Sequence, residues 1–271
     1  MSTMKVIRKR PSKKDAEEKQ KILWIAGHWM TLTLGALYVV YALVHAFTIP
    51  RRRSWKTAFL TKKFEIQPVT WKNSTWRQYL FSWSPEVLYQ GSLFGVLLSY
   101  SITEFQKWST SKPSFYDLIS SENFQGILMA LLWVISRRSS FKLLPFIIVS
   151  YLHISNKNAA NTENLNDISV KNAKLLHVMA YSEVITLVTL LVNTLIFKEP
   201  LAGYLLVSLV AIFWLRVNFS AYAQATVLKL VLKVDKKIPE GKRKKWDELK
   251  SVIYDKMKSR EMMLEKSKLV R

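Results

Sequence analysis

The longest uncharged stretch of this chain, Ile22–Ile49, contains 28 residues between Lys21 and the basic run that starts at Arg51. A helix of that length can span a bilayer with some tilt. Three more apolar runs follow it and predict further spans: Val87–Thr103, Ala173–Phe197 and Pro200–Phe219. The sequence therefore predicts an all-α, polytopic membrane protein.

Two shorter apolar runs, Asn123–Ser136 and Leu143–Asn156, lie on either side of the basic break Arg137–Ser140. Each has 14 residues and would reach about 21 Å as a helix, whereas the hydrocarbon core is about 30 Å thick. The membrane spans on both sides argue against two buried helices of a soluble core. Two interpretations stay open: two thin spans, or one short re-entrant hairpin that adds volume to the leaflet it enters.

The charge pattern predicts three regions and a sidedness. A basic tail of residues 1–21 precedes a membrane domain of residues 22–220, and a second basic tail covers residues 221–271. With both tails in the cytosol, the cytosolic segments hold 28 Lys and Arg and the far side holds 12, which agrees with the positive-inside rule. Because the first apolar run is too long for a signal-peptide core, we expect it to remain as a signal anchor.

The loop Arg51–Leu80 is an exception to this sidedness, since it alone carries eight of the twelve far-side cations. Its aromatic residues alternate with those cations, a pattern more typical of a segment in the headgroup layer than of nucleic-acid binding. The sequence Asn73-Ser74-Thr75 is a glycosylation sequon, so Asn73 would accept a glycan if this loop is luminal.

Two charges lie inside the last predicted hairpin, Glu183 in one span and Arg216 in the other. The spans are joined only by Lys198-Glu199, and Glu183 lies 15 residues before that link and Arg216 17 residues after it, hence at about the same depth. Charges at membrane depth are normally paired or face a polar cavity. We favour a structural salt bridge, and the alternative is an ion or substrate path through a transporter or channel.

Small and polar residues in the first two spans predict how those helices pack. Gly91 and Gly95 form a small-xxx-small pair that would let another helix approach closely. His28 and His45 are 17 residues apart and off a common helix face, so we interpret them as polar positions against neighbouring helices rather than as metal ligands.

The segment of about residues 241–267 has the pattern of an interfacial amphipathic helix. Its basic residues Lys250, Lys256 and Arg260 border or lie within the apolar arc, where their long stems can reach lipid phosphates. The alternative is a helix that packs on a partner protein or on itself. On a helical wheel an arc of about 140° contains the apolar residues Trp246, Leu249, Val252, Ile253, Met257, Met263 and Leu264.

Chemistry-bearing motifs are missing from the sequence. The chain has no cysteine, which excludes disulfides and thiolate metal sites, and we find no nucleotide loop, nucleophile–base set or paired carboxylates among the spans. We therefore expect a non-enzymatic protein without a cofactor, whose net charge of +22 serves attraction to anionic lipid headgroups.

The stretch Phe115–His153, with ENF at Glu122–Phe124 and the run FKLLPFIIVSYLH that ends at His153, resembles the transmembrane protein 33 family. A fainter likeness surrounds Trp24–Trp29. That family includes the Pom and Per proteins of the yeast nuclear envelope and endoplasmic reticulum. The resemblance implies a multi-pass protein of these membranes that acts in membrane shaping and nuclear pore biogenesis or distribution. It also implies reticulon-type proteins, nucleoporins or a karyopherin as partners.

Overall fold

The computed structural model of the protein describes residues 13–48, 75–110, 114–155, 172–196, 201–235, 238–239, 241, 243–248, 250–251 and 254. Within these ranges every long regular element is an α-helix, and strands are absent. The eight longer segments are α1 (Lys13–Thr48), α2 (Trp76–Thr110), α3 (Phe115–Ser120), α4 (Glu122–Ile135), α5 (Ser140–Ser155), α6 (Ala173–Leu195), α7 (Ala202–Phe219) and α8 (Ala221–Asp235).

The predicted all-α membrane fold is confirmed. Three of the described helices are long and apolar enough to cross a membrane: Glu17–His45 within α1, α6 and α7. The helices α4 and α5 are also apolar but shorter, with 14 and 16 residues. The predicted span Val87–Thr103 lies within α2, a 35-residue helix that is not one of those three and that buries Ser92 and Ser99 in the protein.

Most of the segment between the predicted span Val87–Thr103 and the apolar run Asn123–Ser136 is helical, because α2 continues to Thr110 and the short helix α3 follows. A capping box starts α3: the hydroxyl of Ser114 accepts a hydrogen bond from the Asp117 N–H, and the Asp117 carboxylate accepts one from the Ser114 N–H at 3.2 Å. These two bonds satisfy backbone donors that a helix start would otherwise leave open.

Six of the described helices close a ring in the order α1, α2, α4, α7, α6, α5, and α5 packs back on α1. Neighbours run antiparallel. The Trp24 Nε1 atom donates to the Thr103 hydroxyl at 3.1 Å near one end of α1, while the rings of Tyr38 and Tyr89 lie 5.2 Å apart near the other. We call the end where α1, α4 and α6 begin the tail face, and the opposite end, with residues 136–139 between α4 and α5, the turn face.

The closest contact in the ring joins α1 to α2. A Cβ atom added at Gly95 would lie 2.6 Å from the carbonyl oxygen of Gly27, so the two backbones touch. Beside them, the Thr31 hydroxyl donates to the Ser92 carbonyl at 3.3 Å, and the Ser92 hydroxyl donates to the Thr31 carbonyl at 3.2 Å. Small residues and interhelical hydrogen bonds are the usual means by which helices associate in a membrane.

The short helices α4 and α5 follow each other in sequence but lie on opposite sides of the ring. Helix α4 packs against α2 and α7, and α5 packs against α1 and α6. They converge at the turn, where Lys142 Nζ donates to the Ser136 hydroxyl at 2.9 Å and lies 4.9 Å from the centre of the Trp133 ring. The segment predicted as two thin spans or one short re-entrant hairpin therefore forms a V, with its apex at residues 136–139.

Large side chains fill the middle of the ring. Trp133 and Met129 come from α4, Leu143 and Phe146 from α5, and Leu209 from α7, and all five are almost completely buried. This apolar layer separates the two ends of the ring.

Candidate functional site

A cavity of about 1010 Å³ opens at the turn face, and we call it the turn-side cavity. Its floor is the apex of the V, residues 134–139, together with Lys142. Its walls come from α1, α2 and α6, since α5 begins only at Ser140 and does not extend beyond the floor. The V therefore determines how deep this cavity reaches into the ring.

The turn-side cavity is lined by more cations than carboxylates. Arg137, Arg138 and Lys142 lie in its floor, and Glu86 is the one acidic residue in the described lining. An ion pair joins Arg138 Nη1 to Glu86 Oε2 at 3.2 Å, and both side chains keep substantial exposure, 39% and 54%. Lys142 is 6% exposed and donates to the Arg137 carbonyl at 2.7 Å. The described lining of this cavity therefore has a positive net charge.

A second cavity of about 510 Å³, the tail-side cavity, lies between the two arms of the V at the tail face. Ser121 and the first two residues of α4, Glu122 and Asn123, line one side, and His153 of α5 lines the other. Its charged groups balance, with two cations and two carboxylates in the described lining: Lys107, Arg216, Asp117 and Glu122. The two ends of the ring thus offer polar cavities of different charge.

The structure brings Glu183 of α6 and Arg216 of α7 together, with Arg216 Nη1 donating to Glu183 Oε1. The Glu183 side chain is 3% exposed and that of Arg216 is 12% exposed. The buried Nε of Arg216 has no hydrogen-bond partner among the described residues, and Arg216 also lines the tail-side cavity. The pair therefore lies at the inner edge of that cavity.

A narrow gap that is too small to hold a water molecule adjoins the turn-side cavity. Lys142 and Thr186 belong both to this gap and to the turn-side cavity, and Glu183 lines the gap from α6. The remaining wall is largely apolar, with Met129, Trp133 and Leu209. Polar groups thus extend from the turn-side cavity to the Glu183–Arg216 pair at the edge of the tail-side cavity, although the gap itself is closed.

The two histidines singled out in the sequence have different surroundings. His28 is buried on α1, where its Nδ1 lies 3.1 Å from the Ser150 hydroxyl and its ring lies 4.7 Å from that of His153. His45 stacks on Tyr41 and lines the turn-side cavity. In the described part of the chain no three His, Cys, Asp or Glu side chains group closely enough to hold a metal ion.

Trp246 and Lys250 are the two predicted membrane-surface residues whose side chains the structure describes. Trp246 Nε1 donates to Asp235 Oδ1 at 2.9 Å, and Lys250 Nζ donates to the same oxygen at 2.7 Å and pairs with Asp247 at 2.8 Å. These bonds dock the start of the C-terminal segment on the end of α8. The other predicted positions lie outside the described residues: Leu249, Val252, Ile253, Lys256, Met257, Arg260, Met263, Leu264 and the sequon at Asn73.

Helix α8, which the sequence placed in the basic C-terminal tail, packs against α6 and α7. The Thr226 hydroxyl lies 3.2 Å from His177 Nδ1, and Lys229 Nζ lies 2.7 Å from His177 Nε2.

Sequence reasoning also missed the V and its turn-side cavity. The one sequence feature that pointed to this cavity was the basic break at Arg137-Arg138 between two short apolar runs.

One curated relative agrees with the chain over nearly its whole length. It is the uncharacterized membrane protein YGR026W of Saccharomyces cerevisiae, 42% identical over 271 residues, which cover 97% of each chain. No protein-family model matches the chain. No solved structure matches it either. The long apolar helices and this similarity together show that the chain belongs to the family of that yeast membrane protein.

Proposed function

We propose that this chain is a non-enzymatic protein of the endoplasmic reticulum and nuclear envelope that shapes the bilayer around it. The resemblance of Phe115–His153 to the transmembrane protein 33 family supports this location and a contribution to nuclear pore biogenesis or distribution. That stretch contains α3, α4 and most of α5, hence nearly all of the V.

The observation that carries the proposal is the shortness of the two arms. Helices α4 and α5 would reach about 21 and 24 Å, whereas α6, with 23 residues, would reach about 34 Å. A short apolar helix in a thicker bilayer is accommodated by local thinning. Thinning around α4 and α5 would deform the membrane next to the ring.

The shape of the V adds an asymmetry to this deformation. The arms are close at the turn face and lie on opposite sides of the ring toward the tail face. They therefore add more protein volume to the leaflet at the tail face, which is the cytosolic leaflet in the proposed topology. A wedge of this kind favours membrane that curves toward the cytosol.

The C-terminal segment would supply a second contact with curved membrane. In the proposed topology both tails are cytosolic, and the segment's apolar arc and basic border would lie on an anionic leaflet. The protein partners of the whole chain would be reticulon-type proteins, nucleoporins or a karyopherin, as the resemblance implies.

The test is reconstitution of the full-length protein into giant vesicles from which narrow membrane tubes are pulled. We expect a higher protein density on the tube than on the flat membrane. The enrichment should be smaller for Ile253→Asp with Met257→Asp, because this double change removes only the C-terminal segment's contribution to the preference for curved membrane. Equal densities on tube and flat membrane for the wild type would refute membrane shaping. Imaging of a tagged copy tests the location, and a plasma-membrane signal would contradict it.

The second candidate function is transport of an ion or small molecule, and the two cavities favour it. They open at opposite faces, and Lys142, Thr186 and Glu183 lie between them. The test is solute flux into vesicles that contain the wild type or Glu183→Gln. A flux that the variant loses, while its thermal stability in detergent is unchanged, would favour transport over shaping.

A further inference from the structure

We infer that the turn-side cavity binds a phosphate-bearing anion, either a phospholipid headgroup or a soluble phosphate compound. This inference stands apart from the proposed function, because it rests on the charge and depth of one cavity and would hold for a shaping protein or a transporter.

The first step is the charge of the floor. Arg137, Arg138 and Lys142 come from a segment of six residues, and the V presents all three to the same cavity. Glu86, which pairs with Arg138, is the one carboxylate beside these three cations in the described lining. The tail-side cavity, by contrast, has equal numbers of cations and carboxylates in its described lining. An anion is therefore the ligand that suits the turn-side cavity specifically.

The second step is depth. Thr186 lines the cavity beside Lys142 and lies nine residues before the end of α6 at Leu195, which is about 13 Å along the helix. The floor is therefore well below the ends of the surrounding helices. At this depth Lys142 donates to the Ser136 hydroxyl and to the Arg137 carbonyl, and these bonds fix the turn. The side chains of Arg137 and Arg138 are exposed and line the cavity, so a ligand in the cavity can reach both.

The third step is the fit of the ligand. A volume of about 1010 Å³ is at the upper end of the range for small-molecule sites, roughly 300 to 1,000 Å³. The guanidinium group is planar and donates two parallel hydrogen bonds to phosphate oxygens, so two adjacent arginines make a phosphate the preferred anion. Because α5 begins only at Ser140, no described helix separates α1 from α6 above the floor, and we infer that a lipid would enter there.

The experiment uses the purified full-length protein and native mass spectrometry, with phosphatidic acid and phosphatidylcholine as lipid probes. We expect preferential retention of phosphatidic acid, and a loss of about thirtyfold in its apparent affinity for Arg137→Gln with Arg138→Gln, given the usual attraction per basic residue at a membrane surface. Lys142 is left unchanged because it stabilises the turn.

The matched control is Lys244→Gln with Lys245→Gln, which removes the same charge from exposed residues of the C-terminal segment and should lower the retention much less, because these lysines do not line the cavity. Glu86→Gln removes the carboxylate from the lining and should raise the affinity, a direction that misfolding would not produce.

Inorganic phosphate forms the second arm. If it displaces phosphatidic acid and stabilises the wild type but not the arginine variant, the ligand is a soluble anion; if it does neither, the ligand is the lipid headgroup. Equal retention by the wild type and the arginine variant, with no effect of phosphate on either, would overturn the inference.

Discussion

Gly27 and Gly95 meet backbone to backbone where α1 crosses α2. A Cβ atom would lie 2.9 Å from the opposite carbonyl oxygen if added at Gly27, and 2.6 Å if added at Gly95. Neither distance is available to a real side chain, so glycine is required on both helices. This crossing brings α1 close enough to α2 for the paired Thr31–Ser92 hydrogen bonds to form.

We therefore predict that Gly95→Ala destabilises the protein by about 1–3 kcal/mol, as overpacking of a close contact usually does. The measurement is thermal unfolding in detergent. The matched control is Gly203→Ala in α7, whose Cβ would meet nothing closer than the Thr194 methyl at 3.7 Å and should be neutral or slightly stabilising. Similar melting temperatures for both variants would show that α1 and α2 do not cross as closely as described.

The Glu183–Arg216 pair predicts a non-additive double-mutant cycle. Glu183→Gln and Arg216→Gln should each destabilise the protein by about 3–5 kcal/mol, because each leaves one buried charge without its partner. The double variant should lose clearly less than the sum of the two. If the stability loss of the double variant in detergent equals the sum of the two single losses, Glu183 and Arg216 do not stabilise the protein as a pair.

Docking of the C-terminal segment on α8 should depend on pH through Asp235. The hydrogen bond from Lys250, then that from Trp246, lowers the pKa of Asp235 below its usual range. A carboxylate whose pKa is lowered by docking stabilises the docked state fully at a pH above the ordinary Asp pKa of about 3.9. This stabilisation is lost as the pH falls through the lowered pKa. We therefore expect a docked segment at neutral pH and its release only in strong acid.

The absence of cysteine allows this docking to be measured by spin labels at Leu228→Cys and Tyr254→Cys, two exposed positions. Asp235→Asn should broaden the distance distribution at neutral pH to that of the wild type in acid. Asp247→Asn, which removes only a contact within the segment, should change it much less. An unchanged distribution for Asp235→Asn would contradict the docking.

The sidedness of Arg51–Leu80 is tested at Asn73. If the loop is luminal and clear of the membrane, Asn73 carries a glycan, and endoglycosidase treatment changes the mobility of the wild type but not of Asn73→Gln. Cleavage of the loop by protease added to intact microsomes would reverse the proposed topology.

An isolated peptide of residues 241–271 tests the amphipathic helix. Since short isolated helices are marginal in water, the peptide should be largely unfolded there and become helical on small anionic vesicles. Ile253→Asp with Met257→Asp places charge in the apolar arc and should abolish both helicity and vesicle flotation. Equal helicity and flotation of the two peptides would show that this face contacts a protein partner or nothing, and would exclude curvature sensing by this helix.

Some of the structure follows from the sequence alone. The apolar runs specify an all-α membrane protein because each span depends only on its own length and hydropathy. The contact between Glu183 and Arg216 could be anticipated because the two residues flank one tight link at about equal distance, and a short link forces antiparallel neighbours. The shortness of α4 and α5 is likewise a local property.

The tertiary structure decided which helices meet. Neither the ring order, nor the divergence of α4 from α5, nor the contact of Gly27 with Gly95 can be read from the sequence pattern. In a membrane an apolar side chain is equally compatible with lipid and with another helix, so hydropathy does not tell which face of a span is buried. The turn-side cavity follows from that packing: Arg137 and Arg138 form a basic break in the sequence, and only the ring of helices around them places them at the floor of a cavity.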